Sequence, residues 1–473
     1  MNYKGISFFL GIYSLFISFF SFLNILYSNY FNFVLDLDSY IVTLVISLII
    51  GCTFCLLGKN NSKNITISDQ IILIVLSYIF LPILISIPYY LSLYNISFIN
   101  SYFESISGFT TTGFSIIDNI HEIDEPLLLW RSSSQWLGGL LFLISTIGTL
   151  GAKQIRIKPN YLLSDSILGG NFYNNFNYNF LRVLLIYTLT TLFAFFIYTL
   201  SDIRILDSLH LAFTTISTGG FLPKDNLSAI VHNNAQILIL SLVFLFPIFN
   251  FYLLFKIFTN QFRLIDHQED FHLGLIIIIL TLFLYFFIIQ DEGLPLVLFA
   301  ITSSISTSGI SLYSSNFDIS LFLILLTIIG GSIISTSSGI KYIRFYILLK
   351  ISYKEIYRLV KPKNIFNQNL FRTDSKIGDV ESKIAFLVFI SFVISVFLLS
   401  SILTLENLVF EDSFKLAILA ITNTVSSSLY GLDNISFYDL NSFTKVSLIA
   451  FMIFGKIEII TVLFLIKKFI FRE

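Results

Sequence analysis

The sequence predicts an all-α integral membrane protein of ten transmembrane helices, with four parallel helix–pore loop–helix repeats around a central pore and two extra N-terminal helices. Three observations predict it. Only 12% of the 473 residues are charged, against about 25% in a soluble globular chain. Apolar runs long enough for a bilayer recur from end to end. Between them lie four apolar segments too short to cross, and these four end alike.

Hydropathy places the long runs at 6–27, 40–57, 70–94, 126–151, 179–200, 235–258, 272–290, 319–350, 384–404 and 442–470. The mean hydropathy is +0.84, and no stretch is polar enough to form a soluble domain. Aromatic residues, 17% of the chain, supply material for interfacial belts. The first run is too long and uninterrupted for a cleaved signal peptide, and no small-residue cleavage site follows it. With the N-terminus inside, ten crossings return the C-terminus to the same side. Counting each charge with the nearer end of its span, 22 of the 28 Lys and Arg fall inside. They include Lys153, Arg156 and Lys158 and the basic stretch from Lys341 to Lys383. This positive-inside bias predicts cytoplasmic termini. A net charge of −1 offers nucleic acid no partner surface. The two cysteines, Cys52 and Cys55, sit within an apolar run with no further Cys to complete a zinc site. They read as small residues on a membrane helix.

The short segments run about 100–112, 207–219, 295–308 and 413–424. A dozen helical residues rise about 18 Å, against a hydrocarbon core of ~30 Å. One such segment alone would read as an amphipathic helix on the membrane surface. Four in succession with matching ends read as half-helices that enter the membrane and return. The ends are Phe109-Thr110-Thr111-Thr112-Gly113-Phe114, Ile216-Ser217-Thr218-Gly219-Gly220-Phe221, Ile305-Ser306-Thr307-Ser308-Gly309-Ile310 and Ile421-Thr422-Asn423-Thr424-Val425-Ser426. Each unit crosses twice, so every copy has the same orientation and four can surround one axis. Inverted repeats, common among transporters, need an odd number of crossings per unit. The chain then divides into two N-terminal helices (1–68) and repeats at 69–158, 159–270, 271–380 and 381–473.

Non-helical backbone at membrane depth is tolerated only where it is buried or lines an aqueous cavity. Half-helices ending there point the negative ends of their dipoles inward, which favours a cation. Carbonyls beyond them can replace the hydration shell of a potassium ion, and glycine permits the backbone angles this requires. The expected coordinating positions are Thr111, Thr112 and Gly113, then Thr218, Gly219 and Gly220, then Thr307, Ser308 and Gly309, and finally Asn423, Thr424 and Val425. No acidic side chain occupies them.

At these residues the chain resembles the membrane subunit of Trk-type potassium uptake systems, the TrkH branch of the Trk/Ktr/HKT superfamily. Phe109 to Phe114 resembles the family's first filter, and Trp130-Arg131 with Gln135-Trp136-Leu137-Gly138-Gly139 resembles its next helix. Gly330-Gly331 and Ser335-Thr336-Ser337-Ser338-Gly339-Ile340-Lys341 resemble its interrupted helix, and Phe454-Gly455-Lys456-Ile457-Glu458-Ile459 a stretch near the end. The similarity covers essentially the whole chain, the two extra N-terminal spans included. It implies potassium as the transported ion, no organic cofactor, a bacterial inner membrane, a homodimer with one pore per subunit and a cytosolic nucleotide-binding regulatory ring. It also implies a gate formed by Gly330, Gly331, Ser335, Thr336, Ser337, Ser338 and Gly339.

Three residues depart from the family pattern. Val425 stands where the family has a fourth filter glycine. A β-branched residue is strongly disfavoured at positive φ, so that quarter is expected to follow another backbone path and to weaken potassium-over-sodium discrimination. Ser337-Ser338 replace glycines, which predicts weaker loop breaking. Lys456 replaces an arginine. It lies about 16 Å of helix from the basic end at Lys467, too far for easy snorkelling, and is expected in the inner vestibule as a barrier below the filter. Two other readings remain: an ion-coupled solute transporter, and a non-conducting sensor or assembly protein that keeps the fold. No nucleophile, metal or phosphate-binding constellation suggests an enzyme.

Overall fold

The computed structural model describes residues 2–33, 36–61, 67–94, 96–150, 172–258, 267–288, 293–312, 319–360, 369–371, 377–406, 408–432 and 435–457. The end of the tenth predicted span, with Glu458 and Lys467, lies outside them, as do Lys153, Arg156, Lys158, Lys361 and Lys363. Every described element is helical. Six helices are long and apolar enough to cross a membrane: Tyr3–Tyr30, Leu37–Gly58, Ser68–Leu91, Phe180–Leu200, Gln268–Phe287 and Asp379–Leu405. Their outward side chains are apolar, such as Leu189, Phe193, Phe196, Ile278 and Phe286. Several buried hydroxyls are satisfied within their own helix, Ser14 donating to the Leu10 carbonyl at 2.9 Å and Thr43 to the Ser39 carbonyl at 2.8 Å. That removes the cost of a bare polar group in hydrocarbon. The chain is an integral membrane protein.

The first two helices pack through glycines. A Cβ on Gly11 would lie 2.8 Å from the Cys55 backbone nitrogen, and one on Gly51 2.7 Å from the Leu15 side chain. The absence of side chains lets the backbones approach, as small residues do throughout membrane bundles. Cys55 fits into this contact, its Sγ 3.7 Å from the Phe8 carbonyl.

Each of the four short apolar segments is a separate short helix: Phe98–Phe109, Ile205–Ser217, Leu294–Ile305 and Phe410–Thr422. Their starts are marked by ordinary N-terminal chemistry. Ser97 caps the first by accepting from the Asn100 N–H, Asp207 lies in the first turn of the second, Pro295 opens the third, and Glu411 and Asp412 open the fourth. All four are buried along their C-terminal halves.

Two spans differ from regular helices. The eighth is interrupted as the sequence predicts, between Ser320–Ile329 and Tyr342–Val360. The break is complete, although serines stand where glycines were expected to be needed. Gly330 (φ 66°) and Gly339 (φ 82°) take the left-handed angles, and the serines supply hydrogen bonds. Ser337 Oγ accepts from the Gly331 N–H at 2.9 Å, and Ser335 Oγ donates to the Ser332 carbonyl at 2.6 Å. The sixth span, expected to be continuous over 235–258, is broken as well, into Asn234–Val243, Leu245–Ile248 and Phe251–Phe258. Phe249 is extended (φ −79°, ψ 164°). The two breaks lie side by side and exchange backbone hydrogen bonds. Ser332 N–H donates to the Ile248 carbonyl at 2.9 Å, Ser337 N–H to the Pro247 carbonyl at 3.4 Å, and Phe251 N–H to the Ile334 carbonyl at 2.7 Å. Backbone groups freed by one break are therefore satisfied by the other.

Glycine also sets how closely the following helices approach the short ones. A Cβ on Gly138 would overlap the Phe109 carbonyl, and one on Gly455 the Ile421 carbonyl. Both carbonyls sit in the last turn of a short helix. Gly138→Ala and Gly455→Ala are expected to destabilise the protein by about 1–3 kcal/mol each. Gly274→Ala, whose Cβ would meet nothing nearer than the Phe249 ring at 3.4 Å, is expected to be neutral or to gain up to ~1 kcal/mol. Unfolding of the purified variants in one detergent checks the contrast; equal losses at all three would show that close approach is not what the first two glycines serve.

Candidate functional site

The C-terminal ends of the four short helices turn in the same way. Thr112 N–H donates to the Ser107 carbonyl, Gly219 N–H to Thr214, Ser308 N–H to Ser303 and Thr424 N–H to Leu419, at 2.9, 2.9, 3.1 and 2.9 Å. The residue just before each donor is left-handed: Thr111 (φ 57°), Thr218 (61°), Thr307 (61°) and Asn423 (50°). Threonine rarely adopts this conformation, and three instances among equivalent positions mark a local constraint rather than chance. The residue after each donor is Gly113 (φ 82°), Gly220 (83°) or Gly309 (69°) in the first three turns. In the fourth it is Val425, which does not take a positive φ. Asn423 and Thr424 thus align with the other turns, while the chain takes a different path at Val425 itself.

The turns meet one another. A Cβ on Gly113 would lie 2.5 Å from the Gly219 carbonyl oxygen, one on Gly220 3.1 Å from the Ser308 oxygen, and one on Gly309 2.9 Å from the Val425 oxygen. All twelve predicted coordinating residues are brought to this one place. Above it opens a cavity of about 450 Å³, lined by Gly113, Gly220, Val425, Arg131, Lys224 and Asp225 among others.

Side chains behind the turns hold their shape. Gln135 donates from Nε2 to the Gly219 carbonyl at 2.6 Å, while its Oε1 accepts from Thr214 Oγ1 at 2.6 Å and from the Phe221 N–H at 3.3 Å. Ser303 bridges seven residues forward, donating to the Ile310 carbonyl at 2.8 Å, and Thr214 Oγ1 shares its one proton between Gln135 and the equivalent Phe221 carbonyl, 2.9 Å away. In the fourth turn the matching position is Leu419, which has no hydroxyl. There Asn423 substitutes, donating to Thr112 Oγ1 at 3.0 Å and to the Met452 carbonyl at 2.8 Å. Behind the first turn a buried ion pair joins Arg131 Nε to Glu104 Oε1 at 3.0 Å. Glu104 Oε2 accepts from the Ile116 N–H at 2.9 Å, and Arg131 Nη2 donates to Ser115 Oγ at 2.9 Å. The guanidinium also lies over the Phe221 ring at 4.2 Å, in cation–π range.

Below the turns sit the residues expected to form the gate. Ser338 N–H donates to Thr307 Oγ1 at 2.9 Å, Thr336 Oγ1 to the Ile216 carbonyl at 3.0 Å, and Lys456 Nζ to Thr111 Oγ1 at 2.6 Å and Ser338 Oγ at 3.1 Å. Gly330, Gly331, Ser335, Ser337 and Gly339 lie in the same break, one layer away. Lys341 Nζ donates to the Ser335 and Ser337 carbonyls. Both ammonium groups lie over the Phe142 ring, at 4.4 Å for Lys456 and 5.2 Å for Lys341. Lys341, Lys456 and the interrupted backbone thus lie together beneath the turns. The sequence reading missed the roles of Glu104, Gln135 and Phe142. A glutamate inside a short apolar helix and a glutamine inside a span were the available signals, since polar residues at that depth normally have a partner.

No family model matches the chain. It is 28% identical over 438 residues to an uncharacterized cation transporter of Methanocaldococcus jannaschii, covering 89% of this chain and 86% of that one. It is 26% identical over 456 residues to the Trk system potassium uptake protein TrkG of Escherichia coli, covering 92% of each. The crystal structure of the potassium transporter TrkH from Vibrio parahaemolyticus superposes with a TM-score of 0.84, at 21% identity, over 98% of both chains. The sequence resemblance to the Trk protein of E. coli spans 92% of the chain. The fold is that of TrkH, and the relatives are transport proteins rather than enzymes.

Removing one member of the Arg131–Glu104 pair leaves a buried charge uncompensated, so Glu104→Ala is expected to cost about 3–5 kcal/mol. The double variant Glu104→Leu, Arg131→Leu is expected to recover part of that loss, because the orphaned charge goes with its partner. A double-mutant cycle on unfolding midpoints measures the coupling; additive losses would show that the two groups act independently.

Proposed function

We propose that the chain conducts potassium across a bacterial inner membrane through the ring formed by its four turns. The observation that carries this is the repeated turn, in which a left-handed Thr or Asn and, in three of four cases, a left-handed Gly follow a half-helix. Such turns aim backbone carbonyls and negative dipole ends at one axis, the chemistry that replaces a potassium hydration shell. Thr111, Thr112 and Gly113 and their nine counterparts would coordinate the ion. The proposed architecture is ten spans in four parallel repeats, with two preceding helices and both termini cytoplasmic. The names of the relatives support potassium as cargo and membrane passage as the activity. A homodimer and a cytosolic nucleotide-binding ring complete the proposal. The ring would dock on the inside basic segment from Lys341 to Lys383, of which residues 361–368 and 372–376 lie outside the described residues.

The break at 330–341 would be the gate, and Lys456 an electrostatic barrier beneath the ring. Its bonds to Thr111 and Ser338 join the ion path to the interrupted segment, so the barrier moves only if the segment does. The arrangement represents the closed form of this proposal, because Ser335 and Ser337 are buried. The competing reading, a non-conducting sensor with this fold, draws its support from Val425 alone.

The deciding experiment is paired rubidium and sodium flux through the purified chain in liposomes, alongside growth of a potassium-uptake-deficient bacterium on limiting potassium. Rubidium flux with growth rescue is expected; their absence in a correctly inserted protein would favour the sensor. Lys456→Gln is expected to raise rubidium flux about tenfold, since ~1.4 kcal/mol of barrier relief gives that factor. Cysteine at Ser337 is expected to react with a water-soluble thiol reagent from the cytoplasmic side only under conducting conditions. Full protection while rubidium flows would remove the break from the ion path.

A further inference from the structure

We propose that the Val425 side chain is an apolar gate closing the outer end of the ion path, an inference that rests on the potassium reading above. Its register is fixed by geometry rather than by alignment. The Thr424 N–H to Leu419 carbonyl bond (2.9 Å) and the left-handed Asn423 reproduce the pattern of the other three turns up to the preceding residue. At the next residue the patterns part. Gly113, Gly220 and Gly309 have positive φ and Val425 does not. The fourth turn consequently presents a side chain where the others present bare backbone.

That side chain points across the ring. A Cβ on Gly220 would lie 2.9 Å from Val425 Cβ and 3.3 Å from Cγ1, and one on Gly113 would lie 3.0 Å from Val425 Cγ2. Gly113 belongs to the first turn and Gly220 to the second, so the isopropyl group is wedged between two other quarters. It occupies the room their missing side chains leave. On its outer side Val425 lines the open cavity of about 450 Å³. An ion entering from that cavity must exchange water for oxygen ligands, and two methyl groups offer none. A constriction of this kind excludes hydrated ions by dewetting as well as by size.

The chain after Val425 is tied to the third quarter, which fixes where the side chain rests. Ser427 Oγ donates to the Gly309 carbonyl at 2.6 Å, and Tyr430 OH reaches Ser304 Oγ at 3.3 Å. Conduction therefore needs Val425 to swing outward into the cavity, with the Ser427 and Tyr430 tethers setting how readily it does. The expected effect of Val425 differs from a loss of one quarter of the coordination. It lowers the rate for every cation rather than shifting the choice between potassium and sodium.

The test is a series at position 425 of the full chain, read as rubidium and sodium flux in liposomes. Val425→Thr is the discriminating variant, because it keeps the shape and adds a hydroxyl. Val425→Gly, Val425→Ala and Val425→Thr are expected to raise rubidium flux, the first about tenfold or more. Val425→Leu is expected to bring it to background. If Thr matches Val while Gly and Ala conduct faster, the block is steric and the dewetting part is overturned. If wild type and Val425→Gly conduct alike, the gate is overturned and the potassium reading stands. A second readout is potassium-dependent thermal stabilisation of each purified variant, which needs no flux. Stabilisation greater in Val425→Gly than in wild type supports the gate. No flux and no stabilisation in any variant overturns the potassium reading, and the gate with it.

Discussion

The structure depends on one constraint: backbone that leaves a helix inside hydrocarbon must find partners there. Four half-helices and two broken spans release N–H and carbonyl groups at depths where water is scarce, and each group unpaired costs several kcal/mol. The four turns meet this demand by folding back on their own helices, through the bonds that end on Ser107, Thr214, Ser303 and Leu419. The price is the left-handed threonine in three of them. Further carbonyls of the turns are met by side chains of other segments, that of Gly219 by Gln135 and that of Gly309 by Ser427.

Around the four turns the supports are unequal, and the inequality follows from residue type. The second turn is the best held, by Gln135 on three atoms and by the Thr214 hydroxyl. The first leans on a charged pair, Glu104 with Arg131, whose attraction is strong in a low dielectric and whose desolvation is costly. The fourth has lost both the bridging hydroxyl, at Leu419, and the glycine, at Val425. Asn423 compensates on one side by bonding to the first turn and to the last helix. A ring built from four dissimilar quarters yields most easily at its weakest member, and that is where the side chain intrudes.

Much of this was legible in the sequence. The short helices at Phe98–Phe109, Ile205–Ser217, Leu294–Ile305 and Phe410–Thr422 fall within a few residues of the apolar segments that predicted them. Their equivalence was visible because threonine and glycine recur at fixed offsets. The break at Gly330 could be read from glycine, whereas the break near Phe249 could not. Pro247 was its only sign, and proline is common in membrane helices without breaking them. Neither could hydropathy foresee that the two breaks pair, since hydrogen bonds between distant spans leave no local trace. The orientation of Val425 was equally hidden. The residue type announced a departure from the glycine path, but only the fold shows that the space vacated by Gly113 and Gly220 receives its side chain.

The pairing of the two breaks has a consequence for movement. Ile248 and Pro247 owe their partners to Ser332 and Ser337, and Ile334 owes its partner to Phe251. Neither segment can shift alone without stranding groups on the other. Water must arrive as those bonds part, taking up each donor and acceptor in turn. Hydration would thus be a stoichiometric participant in any such motion, the two spans acting as one hinge whose lubricant has to be admitted before it turns.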